Sequence, residues 1–212
     1  MALVAQTFTL TLEIAQASLR LLAESDMRIV VAKASARGSP GVAWLVWEPA
    51  PLNTVAWEET YGIYAAEIPE HHGAPIRLTA SVYPAQDRSI YRYRHAAFAE
   101  PRPSPRIPPR HFDVSNDATA STAFGLLQAA TINGELVRSP VNVVVVPCTF
   151  TADFAAVTTV HVWTQTAGAG GIVAPDRPRN DRVIVFDPER PARRFRYDDD
   201  TATFVDVEKG FQ

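Results

Sequence analysis

Apolar and polar residues alternate with a period of two along much of this chain. Near the N-terminus Phe8, Leu10, Leu12 and Ile14 fall on one face, and the threonines between them fall on the other. Successive side chains of an extended strand point to opposite faces, so this pattern predicts a half-buried strand.

Similar alternation, or β-branched and aromatic enrichment, recurs between turn-forming residues along the rest of the chain. It predicts strands over 27–34, 42–47, 53–66, 76–82, 89–98, 124–131, 142–147, 158–166 and 182–187, and a final hairpin over 193–207. Within 53–66 the alternation places five side chains on one face: Val55, Trp57, Glu59, Tyr61 and Ile63. Residues 15–24, rich in Ala and Leu, predict at most one short helix. The expected fold class is therefore all-β, an antiparallel β-sandwich or barrel.

A proline-rich segment divides the chain into two similar halves. Residues 101–109 contain five prolines, which prevent a helix or a central strand. We therefore predict a first β half over 1–100, a connector over 101–110 and a second β half over 111–212, packed together as one globule. Both halves carry, in the same order, a Ser-Pro pair, a strand ending at proline, an aromatic strand, a glycine turn and a tyrosine hairpin. This order suggests an internal duplication, with a cleft for a ligand between the halves.

Composition narrows the function classes. A net charge of −3 argues against a general nucleic-acid binder, which needs a basic field. Cys148 is the only cysteine, so no disulfide can form within the chain; we expect it to be a small buried side chain. The first residues lack a signal-peptide pattern, and the longest apolar run is far below the roughly 20 residues of a membrane helix. These features predict a cytoplasmic protein with no membrane span.

Motifs for metal, cofactor or nucleophilic chemistry are missing from the sequence, so we expect neither a metal nor a cofactor. The acidic run 198–200 is interpreted as a solvated hairpin tip. His161 lies between two valines on the opposite face of its strand and is expected near the surface or a cleft. If the protein is a small enzyme, His161 would act as acid or base with a carboxylate such as Asp198 or Glu58.

Aromatic side chains within the strands are the main candidates for ligand contact. A strand aromatic that faces outward often marks a binding surface. The candidate ligand-binding residues are Trp57, Tyr61, Tyr64, Trp163, Tyr93 and Tyr197. Of the 20 basic residues only two are lysines; the arginines could recognise a ligand, although codon bias explains the excess more simply.

The favoured function is a non-enzymatic binding module that uses aromatic and arginine side chains, with carbohydrate as the preferred ligand. A small molecule or a partner protein would fit the same chemistry. Small lectin-like β proteins offer an analogy at the level of architecture only. The alternatives are a small enzyme with a cleft between the halves, and a structural protein that forms oligomers, for example a homodimer.

Overall fold

Nineteen strands and one helix make up the secondary structure of a computed structural model, which describes residues 6–34, 41–71, 73–166, 170, 172–173 and 180–207. The first-half strands are β1 (Thr7–Glu13), β2 (Met27–Lys33), β3 (Val42–Ala43), β4 (Leu45–Trp47), β5 (Leu52–Ala66), β6 (Leu78–Val82), β7 (Ser89–Arg94) and β8 (Ala97–Phe98). Those that follow are β9 (Arg102–Pro103), β10 (His111–Asn116), β11 (Thr122–Ile132), β12 (Glu135–Pro140), β13 (Val144–Val146), β14 (Thr151–Ala155), β15 (Thr159–Thr166), β16 (Ile172–Val173), β17 (Arg182–Val185), β18 (Ala192–Asp198) and β19 (Thr203–Asp206). The helix α1 spans Gln16–Glu24. The all-β prediction with one short helix is confirmed.

The strands form four sheets. The largest has eight strands in the order β12-β11-β5-β1-β18-β19, with β13 paired to β11 and β6 paired to β5. A five-stranded sheet runs β14-β10-β7-β8, with β9 beside β7, and a four-stranded sheet runs β17-β15-β2-β4. Strands β16 and β3 pair as a small two-stranded sheet. Most pairs are antiparallel, but β1 with β18 and β10 with β7 are parallel.

Each of the three larger sheets combines strands from both sides of the proline connector. Strand β1 pairs antiparallel with the first part of β5 and parallel with β18, just as β10 pairs antiparallel with β14 and parallel with β7. Likewise β2 pairs antiparallel with β15, and β11 pairs antiparallel with β5 from Val55 to Ala66. Exchanging the two sets of strands thus reproduces the same pairings. A duplicated unit would give this pattern; the duplication itself stays a prediction.

The segment after the Asn133–Gly134 turn differs from the prediction. The hairpin partner of β11 is β12, which was not predicted as a strand, and β13 pairs with the start of β11 instead. Residues 142–147 were predicted as one strand, but only Val144–Val146 form β13, and Val144 and Val145 are each 46% exposed. Cys148, expected to be buried, is exposed as well. The exposure of these residues follows from the position of β13, which has only three residues and, in the described part of the chain, pairs with β11 alone.

The core covers both faces of the central strands. In β2, Ile29 and Val31 belong to the main hydrophobic cluster, whereas the residues Val30 and Ala32 on the other face belong to a smaller one. Strand β5 divides in the same way between the main cluster and a second small cluster around Tyr64. Both faces of these strands are therefore buried, unlike the half-buried strands of a sheet with one face in solvent.

None of the helices among the described residues is long and apolar enough to cross a membrane.

Candidate functional site

The aromatic candidates from the sequence lie mostly in the interior. Trp57, Tyr61, Tyr64, Trp163 and Tyr93 are each between 0% and 6% exposed. Tyr197 is half-buried against Phe204, with ring centroids 5.4 Å apart. The structure therefore distributes these six residues over the core and does not assemble them on one outward surface.

Two covered faces explain this outcome. Tyr61 and Tyr64 do lie on opposite faces of β5, as alternation predicts, but each face has its own hydrophobic cluster. Trp163 packs on the second face of its sheet with Val30, Ala32 and Ala43. Alternation therefore predicted correctly which residues share a face. The further inference that one of the two faces is exposed to solvent was wrong for these residues.

The proposed His–carboxylate pairs are not formed. His161 is 2% exposed, not near the surface as expected, and its Nδ1 lies 2.8 Å from Oδ2 of Asp181, which is 1% exposed. Asp198 instead accepts hydrogen bonds within its own turn, from the Asp200 amide (3.1 Å) and the Thr201 hydroxyl (3.0 Å). Among the described residues, neither Asp198 nor Glu58 forms a hydrogen bond or ion pair with His161. The histidine has a buried carboxylate partner, which the sequence analysis did not name.

The most distinctive local geometry is a bulge in β5. Trp57 faces Ala130 and Tyr61 faces Gln128 across the β5–β11 ladder, so three residues of β5 stand opposite one residue of β11. The Gln128 side-chain amide donates to the Glu58 carbonyl at 2.6 Å and so satisfies a backbone acceptor at the irregularity. Bulges re-aim side chains and are common beside functional sites.

Outside the sheet, the bulge borders a groove with a volume of about 290 Å³. Its lining mixes one carboxylate and three threonine hydroxyls with small apolar side chains and a tyrosine ring. The residues that line this bulge groove are Thr7, Ala56, Trp57, Glu58, Thr60, Tyr83, Ala129, Ala130, Thr131 and Leu136. The Arg138 guanidinium stacks 3.9 Å from the centroid of the Tyr83 ring, which holds that ring at the groove wall.

Beneath the bulge, on the inner face, lies a buried charged cluster. Lys33 is 1% exposed, and its Nζ donates to the Val157 carbonyl at 3.1 Å. The same amine lies 3.6 Å from Glu59 Oε1, and Glu59 forms a second ion pair with Arg110. The Tyr61 hydroxyl donates to Glu59 Oε2 at 3.1 Å. We call these four residues, Lys33, Glu59, Tyr61 and Arg110, the lysine cluster.

Indole rings enclose the lysine. The ammonium lies 5.1 Å from the ring centroid of Trp44 and 5.0 Å from that of Trp57. Both distances fall within the range of cation–π contacts. This cluster links β2 and β5, which belong to different sheets, to the residue that precedes β10 of a third sheet. The amine is enclosed, and its partner Glu59 lies within the bulge. We therefore expect the lysine cluster to stabilise the bulge.

Burial shifts the pKa values in this cluster. Burial lowers the pKa of Lys33 from 10.5 to about 8, although the nearby Glu59 carboxylate opposes the change. Burial also raises the pKa of Tyr61 well above its usual value, and the neighbouring Glu59 charge adds to this. At neutral pH the cluster therefore holds a protonated lysine and a neutral tyrosine.

The lowered pKa of Lys33 predicts stability that rises with pH. Between pH 8 and 10.5 the unfolded chain holds the lysine proton more tightly than the folded chain, so the free energy of unfolding increases with pH. From pH 7.5 to 9.5 we expect a Lys33-dependent gain of about 2 kcal/mol. Urea denaturation at a series of pH values should show this gain in the natural chain and lose it in Lys33→Met. An equal gain in both proteins would show that the pKa of Lys33 is not the cause.

That series must stay below pH 10. The pKa values of Tyr61 and Tyr64 are both raised, mainly by burial. Above pH 10 the unfolded tyrosines lose protons that the folded chain retains, so stability then falls as pH rises. The two effects have opposite signs, and below pH 10 the lysine effect dominates.

The sequence contained one signal for this site. Alternation placed Glu59 on the same face as Trp57 and Tyr61, and a carboxylate on an apolar face requires a partner. Neither Lys33, from a distant strand, nor the bulge could be inferred locally, because both depend on which strands pair. No group of three or more His, Cys, Asp or Glu side chains in the described ranges could hold a metal ion.

No family model matches this chain, and neither a curated protein nor a solved structure is significantly similar to it.

Proposed function

We propose that this protein is a non-enzymatic binding module and that its bulge groove accepts a sugar ring or a ligand of similar size and polarity. The observation that carries the proposal is the groove itself: beside the β5 bulge, the large sheet presents a concave surface with a carboxylate and hydroxyls among apolar groups. Small-molecule sites are concave, with a few polar groups that fix orientation.

The volume and chemistry suit a single ring. At about 290 Å³ the groove is at the lower end of small-molecule sites, which run from roughly 300 Å³ upward. Glu58 can accept hydrogen bonds from sugar hydroxyls, and Thr60 and Thr131 can both donate and accept. The small side chains of Ala56 and Ala129 leave room for the apolar face of the ring.

Glu58 has the main polar role in this proposal. It is exposed, while its backbone carbonyl is held by Gln128, so its side chain projects from a fixed main chain. A hydrogen bond to a charged group contributes about 1.5–3 kcal/mol. Losing it should therefore weaken binding about tenfold or more.

The test is a titration with a panel of neutral monosaccharides, followed by NMR chemical shifts. We expect shifts confined to residues around the bulge groove for at least one sugar. Glu58→Gln should weaken the binding of that sugar about tenfold. Ala129→Leu should prevent its binding, because the larger side chain fills the groove. Glu67→Gln, an exposed carboxylate just beyond the end of β5, is the matched control and should bind like the natural chain.

Several results would count against the proposal. Shifts that map elsewhere, equal weakening by Glu58→Gln and Glu67→Gln, or no response to the whole panel would each overturn it. Light scattering on the same samples tests the homodimer prediction, which is independent of the groove.

A further inference from the structure

The outer face of the five-stranded sheet carries exposed arginines at neighbouring positions. In β7, Tyr91 and Tyr93 are buried, while Arg92 and Arg94 alternate with them and are exposed. Arg102 of β9 pairs with Ile90 across the ladder. Residues paired in this way point to the same face, and Ile90 shares a face with Arg92 and Arg94. We call Arg92, Arg94 and Arg102 the arginine face.

Two grooves meet at these side chains. One, of about 580 Å³, includes Arg92, Arg94, Arg102 and Asp117 in its lining. The other, of about 560 Å³, includes Arg92, Arg94, Asp117 and the hydroxyl residues Thr119 and Thr149. The linings of the two grooves share Arg92, Arg94 and Asp117, so both guanidinium groups can reach a ligand on either side.

Asp117 orients part of this face. Its Oδ2 accepts from Arg92 Nε at 2.6 Å, and its Oδ1 accepts from the Ser115 hydroxyl at 2.7 Å. The Ser115 hydrogen bond is the main reason that the pKa of Asp117 is lowered, and both Arg92 and Arg94 add to the effect. Arg92 is thus held through Nε, which leaves its two terminal nitrogens for another acceptor.

The other two arginines have no such partner. Within the described ranges, the side chains of Arg94 and Arg102 form no hydrogen bond or ion pair, and Arg94 acts on Asp117 only through its charge. With Asp117 and Glu100 included, the lining of the first groove still has three cations against two anions. This local excess of positive charge stands on a chain whose net charge is −3.

The turn beside the second groove is also unusual. His95 and Ala96 link β7 to β8 with φ angles of 52° and 59°, and Thr149 has a φ of 70°. A two-residue hairpin loop with both φ values positive normally takes Asn-Gly. The chain places His and Ala there instead, and both line the groove with Thr149. Unfavourable backbone conformations of this kind cluster at binding sites.

We propose that the arginine face binds a small ligand with at least two sulfate or phosphate ester groups, one in each groove. Guanidinium groups present forked donors that match such oxyanions. The hydroxyls of Thr119 and Thr149 can donate to the oxygens in the second groove. This site uses none of the residues of the bulge groove, so it is independent of the proposed sugar site.

Binding can be tested by calorimetry with two polyanions, sucrose octasulfate and inositol hexakisphosphate, each beside its uncharged scaffold. We expect the charged probes to bind, with an affinity that falls as salt rises, and sucrose and inositol not to bind at this face. Tighter binding of one polyanion would show whether the site prefers sulfate or phosphate esters. Inorganic sulfate and phosphate should compete weakly.

Variants locate the site. Arg94→Gln and Arg102→Gln remove charges without breaking a contact within the described chain, and each should weaken polyanion binding about tenfold. Arg20→Gln, which removes an exposed helix arginine with the same change in net charge, is the control and should bind nearly as well as the natural chain. Glu58→Gln should leave polyanion binding unchanged, which separates this site from the bulge groove.

The proposal fails if neither polyanion binds, or if Arg20→Gln weakens binding as much as Arg94→Gln does. It also fails if the uncharged scaffolds compete equally for the same face.

Discussion

We expect Glu59→Gln to lower the free energy of unfolding by about 2 kcal/mol. Glu59 is the anion shared by Lys33, which is 1% exposed, and by Arg110. The substitution keeps the size of the side chain but removes the carboxylate that favours the protonated lysine, so Lys33 either stays charged without a counter-ion or loses its proton at pH 7. Breaking a buried ion pair on one side is costly because the remaining charge is desolvated. Urea denaturation at pH 7 measures the loss.

Glu58→Gln is the matched control, since it is the adjacent residue of the same strand and is exposed. We expect a change below about 0.5 kcal/mol there. The double variant Lys33→Met with Glu59→Gln removes both charges and should recover much of the stability lost by Glu59→Gln alone. Equal losses at positions 58 and 59, or a double variant less stable than Glu59→Gln, would contradict a stabilising ion pair.

The same experiment bears on the bulge groove. Glu58 lines the groove on one face of the bulge, and Glu59 enters the lysine cluster on the other. If the cluster fixes the bulge, weakening it should also loosen the groove, so Glu59→Gln should weaken sugar binding although it does not line the groove. Glu58→Gln should weaken binding without loss of stability. Comparing the two variants therefore distinguishes a residue that contacts the ligand from one that stabilises the bulge.

Local alternation carried most of the fold prediction. The extent of β5, the faces of Val55 and Ile63, the helix α1 and the final hairpin follow from residues close in sequence. These features depend on the period of a strand or helix, which a single segment displays.

Pairing between distant strands could not be predicted. The predicted halves, expected to pack together as one globule, contribute strands to each of the larger sheets, and the strands that meet between them could not be named in advance. Choosing β15 as the neighbour of β2 requires closing a loop of more than 100 residues, and no local pattern encodes that choice. The second hydrophobic layers, and with them the burial of Tyr64 and Trp163, follow from these pairings.

The candidate site was therefore only partly foreseeable. Glu59 on an apolar face was a usable signal, because a buried carboxylate needs a cation. Its partner Lys33 and the Gln128 amide that holds the bulge come from strands of other sequence regions. The bulge is a property of the β5–β11 register and not of either strand alone.

Gly125→Ala should lower the free energy of unfolding by about 3 kcal/mol. Gly125 pairs with Tyr64 across the β5–β11 ladder. A Cβ at this position would overlap the Asn142 carbonyl oxygen and lie 2.7 Å from the Tyr64 hydroxyl. That hydroxyl donates to the same carbonyl at 2.5 Å. Neither group can yield freely, because Tyr64 is fully buried, so the added methyl group breaks the hydrogen bond or displaces the strand.

Gly41→Ala is the control, because an added Cβ there meets no atom of the described residues within 4 Å. Its effect should stay below about 0.5 kcal/mol. Tyr64→Phe removes the hydroxyl that the new methyl group meets, so the double variant should lose less than the sum of the two single losses. Tyr64 was a candidate ligand contact, and these variants also test that hypothesis. If Tyr64 acts only by packing over Gly125, Tyr64→Phe should reduce stability and leave sugar affinity unchanged. If Tyr64→Phe lowers the sugar affinity without lowering the free energy of unfolding, Tyr64 contacts the ligand.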